Sequence, residues 1–211
     1  MAVINPEADV TLRAGQYANT NYSGDMTLGT SFGNESEDAW RKSILRYDLT
    51  AVTGVLSATL RFTLATATTS GQFNFGVYGS KPAFEDAWVE DQVTWTSKGG
   101  HDPNNEYGGF TPIHATYLGI FSGNNKAIDT QLSFTSTPLI DWLNTRLGGL
   151  ATIFLVIDNG GQSSVINFHS GENATKKPEL EHEATPAPPA SYAKLAIAKV
   201  VTQPVIDSEV T

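Results

Sequence analysis

Residues 41–64 carry a clear alternation of apolar and polar positions, in two stretches separated by a polar turn that contains Gly54. Alternation with a period of two is typical of strands with one buried face and one polar face. The positions expected to be buried are Leu45, Tyr47, Leu49, Ala58, Leu60, Phe62 and Leu64, and the opposite positions are Ile44, Arg46, Asp48, Thr59, Arg61 and Thr63. We therefore predict an amphipathic hairpin around which a β-sandwich is built.

Similar patterns predict further strands along most of the first 183 residues. The predicted segments are residues 8–13, 26–30, 73–78, 92–95, 117–121, 127–134, 151–157, 165–169 and 179–183. The first half of residues 84–95 is predicted to form a short helical turn before the chain returns to the sheet. Residues 151–157 are apolar at both alternating positions, which predicts a central strand covered on both faces.

One short helix is predicted after residue 136. Thr137 is a favourable N-cap and Pro138 a favourable first helical residue. Apolar residues then keep helical spacing until two glycines, and they are Leu139, Ile140, Leu143 and Leu147. This helix is expected to cover one face of the central strand.

The chain changes character after residue 183. Residues 184–190 are a Pro/Ala linker, and residues 191–211 contain one more alternating stretch. We predict a C-terminal arm that docks on a protein partner or a second subunit, so that the chain forms an oligomer. The arm residues expected to make that contact are Tyr192, Leu195, Ile197 and Val200. The predicted fold is thus all-β: a jelly-roll-like antiparallel β-sandwich over residues 1–183, with one short helix and an extended C-terminal arm.

Composition limits the function. The chain has no cysteine, which excludes disulfides, thiolate metal sites and a cysteine nucleophile. Its formal charge is −9, with 13 Lys and Arg against 22 Asp and Glu, which argues against nucleic acid as a partner. No apolar run approaches the roughly 18 residues of a membrane span, and residues 1–10 lack the basic start and apolar core of a signal peptide.

The sequence also argues against an enzyme. It contains none of the common nucleophile, zinc-protease or nucleotide-binding motifs, and its histidines are far apart: His101, His114, His169 and His182. Acidic residues in the range 84–91 resemble paired glycosidase carboxylates in type only, and a solvated turn explains them better. We predict a non-catalytic protein.

The candidate ligand-binding residues are aromatic and basic. Aromatic rings match the C–H faces of sugars, and Trp40, Trp88 and Tyr107 adjoin polar loops, whereas Trp95 and Trp142 are expected in the core. Arg41 follows Trp40, and Lys176 and Lys177 lie near His169 and Asn173 as a basic spot suited to an anionic sugar. Arg46, Asp48 and Arg61 are interpreted as scaffold. The oxygen-rich residues 33–38 suit Ca²⁺, with simple solvation as the alternative, and no other cofactor is predicted.

Several short motifs occur in an order that is typical of one family. They are Ala8-Asp9, Thr20-Asn21-Tyr22-Ser23-Gly24, Ile44-Leu45-Arg46-Tyr47-Asp48-Leu49, Ser57-Ala58-Thr59-Leu60-Arg61, Glu90-Asp91-Gln92-Val93-Thr94-Trp95, residues 153–158, Ser170-Gly171-Glu172 and Pro178-Glu179-Leu180. Through them, residues 7–183 resemble the DNRLRE-type domain, also called carbohydrate-binding module family 96. One departure is Asn-Tyr-Ser-Gly where the family has Asn-Tyr-Gly. The resemblance implies a non-catalytic sandwich of the kind appended to secreted polysaccharide-degrading enzymes, with alginate among the associated ligands.

Two functional hypotheses follow. The first is a structural, decoration or adhesion subunit of an assembly such as a phage virion, with glycan binding at the loops. The alternative is a carbohydrate-binding module that recognises an acidic polysaccharide such as alginate. The arm, the missing export signal and the missing catalytic domain favour the first, and the common context of the family favours the second. The expected location is a virion or an extracellular surface.

Overall fold

The computed structural model describes residues 1–25, 27–30, 40–68, 73–98, 114–157 and 165–185. Eleven strands lie in this part of the chain: β1 Ala2–Ile4, β2 Ala8–Arg13, β3 Thr27–Thr30, β4 Arg41–Asp48, β5 Val55–Thr63, β6 Asn74–Ser80, β7 Ala115–Ser122, β8 Gln131–Phe134, β9 Leu150–Ile157, β10 Ile166–His169 and β11 Glu179–Ala184. The helices of this part are α1 Trp95–Lys98 and α2 Thr137–Asn144, with 3₁₀ turns at Gly15–Tyr17, Pro82–Phe84 and Glu90–Gln92.

The strands form two facing sheets. One has the order β2-β4-β9-β6-β7 and the other β1-β11-β5-β8, and the pair β10-β3 joins the second sheet through a bridge between Leu64 and Phe168. The recorded pairings are all antiparallel. The predicted antiparallel β-sandwich is therefore confirmed, and β9 is a central strand as predicted.

The main core lies between the two sheets. Leu45 and Tyr47 of β4 face Leu60 and Phe62 of β5 within it, and each of these side chains is fully buried. Burial of these residues is as the alternating pattern predicts. The core residues of the two strands therefore hold the sandwich together across its interior, because apolar area removed from water stabilises the fold.

Residues 41–64 do not form a hairpin, which corrects the prediction. β4 pairs with β2 and β9, whereas β5 pairs with β11 and β8 in the opposite sheet. The β4–β9 pairing continues to the end of β4, where Leu49 N donates to Gly149 O at 2.9 Å and Gly148 N donates to Leu49 O at 3.0 Å, and the chain then crosses to the other sheet. A hairpin and a crossing between sheets both bury one face of each strand, so the pattern does not distinguish them.

A second core lies on the outer face of the five-stranded sheet. Ile44 and Phe154, at positions facing away from the main core, are buried under residues 82–95. Trp95 belongs to this core as predicted, but residues 92–95 form no strand and instead lead from a 3₁₀ turn into α1. The prediction of a polar outer face on β4 is wrong at Ile44, because this covering segment removes that face from water.

Helix α2 begins one residue earlier than predicted and closes a different part of the core. Its N-cap is Ser136, whose Oγ accepts from Leu139 N at 3.1 Å, and Pro138 lies in the first turn. Leu139, Trp142 and Leu143 join the main core, and Trp142 Nε1 donates to Ser80 O at 2.8 Å. The outer face of β9 is thus covered by residues 82–95, and the helix does not cover it.

The C-terminal regions remain predictions. Residues 186–211, which hold most of the linker and the whole arm with Tyr192, Leu195, Ile197 and Val200, lie outside the described residues. None of the helices in the described ranges combines the length and the apolar character needed to cross a membrane.

Candidate functional site

Two arginines lie side by side where β2 ends and β4 begins. Arg13 and Arg41 are cross-strand partners, and the guanidinium of Arg13 lies 3.9 Å from the ring centre of Tyr17 and 5.0 Å from that of Tyr22. Arg13 Nη1 donates to the hydroxyl of Tyr22 at 3.2 Å. The 3₁₀ turn that places Tyr17 begins at Gly15, whose positive φ of 61° suits glycine. We call Arg13, Arg41, Tyr17 and Tyr22 the arginine–tyrosine cluster.

The arginine–tyrosine cluster concentrates positive charge on a half-buried surface. Burial and the neighbouring charge of Arg13 both lower the pKa of Arg41 from its usual value. Ala14 N donates to Trp40 O at 3.0 Å, which fixes the two strand ends against each other. Two guanidinium groups held together in this way favour an anion between or above them, because each can bind a carboxylate through two parallel hydrogen bonds.

Trp40 and Lys42 flank the arginine–tyrosine cluster. Trp40 is partly buried and packs against the second core, and Lys42 is 3 % exposed with its Nζ 4.5 Å from the ring centre of Trp95. Burial lowers the pKa of Lys42 to about 7. Of the residues predicted for glycan binding, Trp40 and Arg41 therefore lie beside a basic and aromatic surface, while Lys42, Arg13, Tyr17 and Tyr22 were missed.

Trp88 has to be removed from the predicted binding residues. Its side chain is 3 % exposed in the second core, and its Nε1 donates to Thr152 Oγ1 at 2.9 Å. The guanidinium of Arg46 lies 4.8 Å from its ring centre, and Arg46 Nε also donates to Glu7 Oε1 at 2.6 Å. A ring that is almost fully buried offers no face to a sugar. Tyr107 lies outside the described residues.

Lys176 lies near His169 and Asn173 as expected, but an acidic residue neutralises the group. Lys176 Nζ lies 2.6 Å and His169 Nε2 3.0 Å from Asp129 Oδ1. These contacts lower the pKa of the Asp129 carboxyl, with Lys176 as the largest cause. Lys177 instead acts electrostatically on Asp9. The two lysines are therefore engaged with carboxylates of the fold itself.

A group of three carboxylates forms a second notable site. Asp9, Glu90 and Glu172 each offer one oxygen, and these oxygens all lie within 4.8 Å of one another. Glu90 is placed by Asn21, whose Nδ2 donates to Glu90 O and to Val93 O, both at 2.7 Å. Glu172 follows β10 in a turn. We call these three residues the carboxylate cluster; residues 33–38, where calcium was predicted, lie outside the described residues.

The carboxylate cluster combines burial with repulsion. Asp9 is 3 % exposed, and its Oδ2 accepts from Gly171 N at 2.6 Å. Burial raises the pKa of Asp9 to about 7, and the negative charge of Glu172 adds to that rise. Burial also raises the pKa of Glu90. The sequence signal for this site was Asp9 itself, an acid between the apolar residues of a strand, but nothing local indicated its two partners.

One exposed aromatic residue was also missed. Tyr117 on β7 is 48 % exposed, and its ring packs edge-on against Tyr78 with the ring centres 5.2 Å apart. It occupies the edge of the five-stranded sheet opposite β2, four strand spacings or about 19 Å from the arginine–tyrosine cluster. Tyr117 is thus a separate aromatic surface.

A family model matches part of this chain, and the match agrees with the β-sandwich fold. No match is found among curated proteins. The model of carbohydrate-binding module family 96 matches residues 1–107, which is just over half of the 211 residues. The matched range contains the arginine–tyrosine cluster, together with Asp9 and Glu90 of the carboxylate cluster. The chain belongs to carbohydrate-binding module family 96.

Proposed function

We propose that this chain is a carbohydrate-binding module that recognises an acidic polysaccharide at the arginine–tyrosine cluster. Modules of this family are non-catalytic in themselves. The observation that carries the proposal is the position of Arg13, held across the rings of Tyr17 and Tyr22 beside Arg41. This arrangement supplies the two contacts that a uronate needs: guanidinium groups for the carboxylate and aromatic faces for the ring.

Charge and burial make an anionic sugar a better ligand than a neutral one. Arg41 is only partly exposed and lies beside a second cation, so a carboxylate that approaches it relieves repulsion and gains charge-assisted hydrogen bonds. A neutral sugar does not relieve the repulsion and does not gain charge-assisted hydrogen bonds. The overall charge of −9 disfavours long-range attraction of a polyanion, so recognition is expected to depend on these local contacts.

The family favours this function over the assembly-subunit hypothesis. That hypothesis depended on residues 191–211, which lie outside the described residues, and the family match supports carbohydrate binding without supporting a virion or adhesion role. The proposed place of action is an extracellular polysaccharide, and a protein partner for the arm remains a prediction.

Isothermal titration of the purified chain with alginate, polygalacturonate and a neutral glucan tests the proposal. We expect binding of the acidic polymers alone, weakened by added NaCl because exposed charges are screened. Arg13→Gln and Arg41→Gln should each lower the affinity about tenfold or more, the loss expected for a hydrogen bond to a charged group. The matched control is Arg61→Gln, since Arg61 is paired with Glu181 at 2.5 Å in the other sheet. Unchanged affinity in both cluster variants would overturn the proposal.

A further inference from the structure

The carboxylate cluster has a feature that an ordinary acidic surface lacks. Asp9 is almost fully buried, and its Oδ1 has no hydrogen-bond partner among the described residues. A buried polar atom without a partner costs about 1–3 kcal/mol, and more when it carries charge. Buried carboxylate oxygens in folded proteins are therefore bonded to donors or coordinate a metal ion.

Among the described residues, the cations that act on the carboxylate cluster do not balance its three acids. Lys177 acts on Asp9, and Arg46 acts on Glu90, but Arg46 is also bonded to Glu7. Glu172 is exposed at the mouth of the group and Glu90 is half-buried, so the acids lead from solvent to the buried oxygen of Asp9. Three carboxylates that converge on one point repel one another, and a cation among them relieves that repulsion.

We propose that Asp9, Glu90 and Glu172 bind one Ca²⁺ ion that ties together β2, the Glu90–Gln92 turn and the turn after β10. Calcium takes six to eight oxygen ligands at about 2.3–2.6 Å. Oxygens that share such an ion lie at most about 5 Å apart, and the three carboxylate oxygens all lie within 4.8 Å of one another. Mg²⁺ requires a nearly ideal octahedron and usually keeps several waters with only one or two carboxylates, so a site of three carboxylates suits it less well.

The ion would be structural and separate from glycan recognition. It would join segments that are far apart in the sequence. Asp9 is 81 residues from Glu90 and 162 residues from Gly171, whose backbone N–H donates to it. Glu90 is already close to β2, because its Oε1 accepts from Asp9 N at 3.4 Å. Binding of the ion would therefore stabilise the edge of the five-stranded sheet without rearranging it.

Calorimetric titration of the chelator-treated full chain with CaCl₂ tests this site, with no glycan present. We expect one ion per chain and a thermal unfolding temperature that rises with Ca²⁺ concentration, because an ion that binds only the folded state stabilises it. MgCl₂ at the same concentration should raise it less. Absence of saturable Ca²⁺ binding would overturn this inference while leaving the proposed glycan function intact.

Three variants locate the site. Glu172→Gln and Glu90→Gln should each weaken Ca²⁺ binding at least tenfold, whereas Glu183→Gln, an exposed glutamate of β11, should leave it unchanged. Asp9→Asn should abolish the Ca²⁺-induced rise in unfolding temperature, yet unfold no earlier than wild type without calcium because it removes the buried charge. Should Asp9→Asn fail to fold, the two glutamate variants decide, and binding that survives both contradicts the site.

Discussion

Strand β2 carries a different charge cluster at each end, and the contrast bears on both proposed sites. At its start, Asp9 is buried among acids, and at its end Arg13 lies half-exposed between tyrosine rings. The two residues are four positions apart, which is about 13 Å along a strand. Both clusters bring like charges together.

The two ends differ in how far they are buried. The aromatic rings around Arg13 let a cation stay near the surface with favourable contacts of its own, so that end remains accessible to a polymer. Asp9 has only a backbone donor on one oxygen, so it suits a small ion that reaches inside. Burial thus limits the size of ligand that each proposed site can take, and the sign of the charge limits its chemistry.

The largest expected effect comes from the segment that supports both ends. Trp88→Ala should lower the free energy of unfolding by about 3–5 kcal/mol, because it removes a large buried ring and its hydrogen bond to Thr152. Chemical denaturation measures this, and Val89→Ala, at a 52 % exposed neighbour, should change it by less than about 0.5 kcal/mol. If Trp88→Ala has normal stability but no longer binds the glycan, Trp88 belongs to the binding surface.

A smaller effect concerns the buried cation beside the arginine–tyrosine cluster. The pKa of Lys42 is lowered to about 7 from 10.5, so the unfolded chain binds a proton here that the folded chain has lost between these pH values. The contribution of Lys42 to the free energy of unfolding should therefore be lowest below pH 7 and rise with pH toward 10.5. Lys42→Met should stabilise the fold, on the order of a few kcal/mol at pH 6, with a gain that shrinks as pH rises.

Denaturation of wild type and Lys42→Met at several pH values between 6 and 10 measures that difference. Lys126→Met serves as the control, because Lys126 is an exposed lysine. A stability difference for Lys42→Met that does not vary with pH would show that its ammonium keeps its charge in the folded state.

The smallest effect separates hydrogen bonding from stacking at the arginine end. Tyr22→Phe keeps the ring beside Arg13 but removes the hydroxyl that accepts from its Nη1. The affinity for an acidic polysaccharide should fall by about 0.5–1.5 kcal/mol, the net value of one hydrogen bond. Calorimetry in the presence and absence of calcium checks this, and an equal loss of Ca²⁺ affinity would mean that the two ends are not independent.

The sequence predicted the layers of this fold better than their connections. Alternation identified Leu45, Tyr47, Leu60 and Phe62 as buried because it reports which face of a strand is apolar. It could not show that β4 and β5 lie in different sheets, since that depends on which distant strands each of them pairs with.

The sites were predicted less well, for a related reason. Trp40 and Arg41 were found from residue type next to a loop, but the partners of Arg41 come from β2 and the turn after it. The motifs behind the family resemblance include Asp9, Glu90 and Glu172, yet spacing along the chain does not reveal that they meet. Their meeting depends on how two turns fold against the edge of a sheet, which is a property of tertiary structure.

The pairing of β1 with β11 has a mechanical consequence. Ala2 lies opposite His182 and Ile4 opposite Leu180, so residue 1 and residue 185 leave the sandwich from the same corner. Force applied between those two points would load the backbone hydrogen bonds of this pair one after another, and the strands would unzip at low tension. Force that enters through a polymer held at Arg13 would instead pass along β2 and its neighbours, which share the load in shear. The molecule should therefore resist pulling from its proposed binding surface better than pulling between residues 1 and 185.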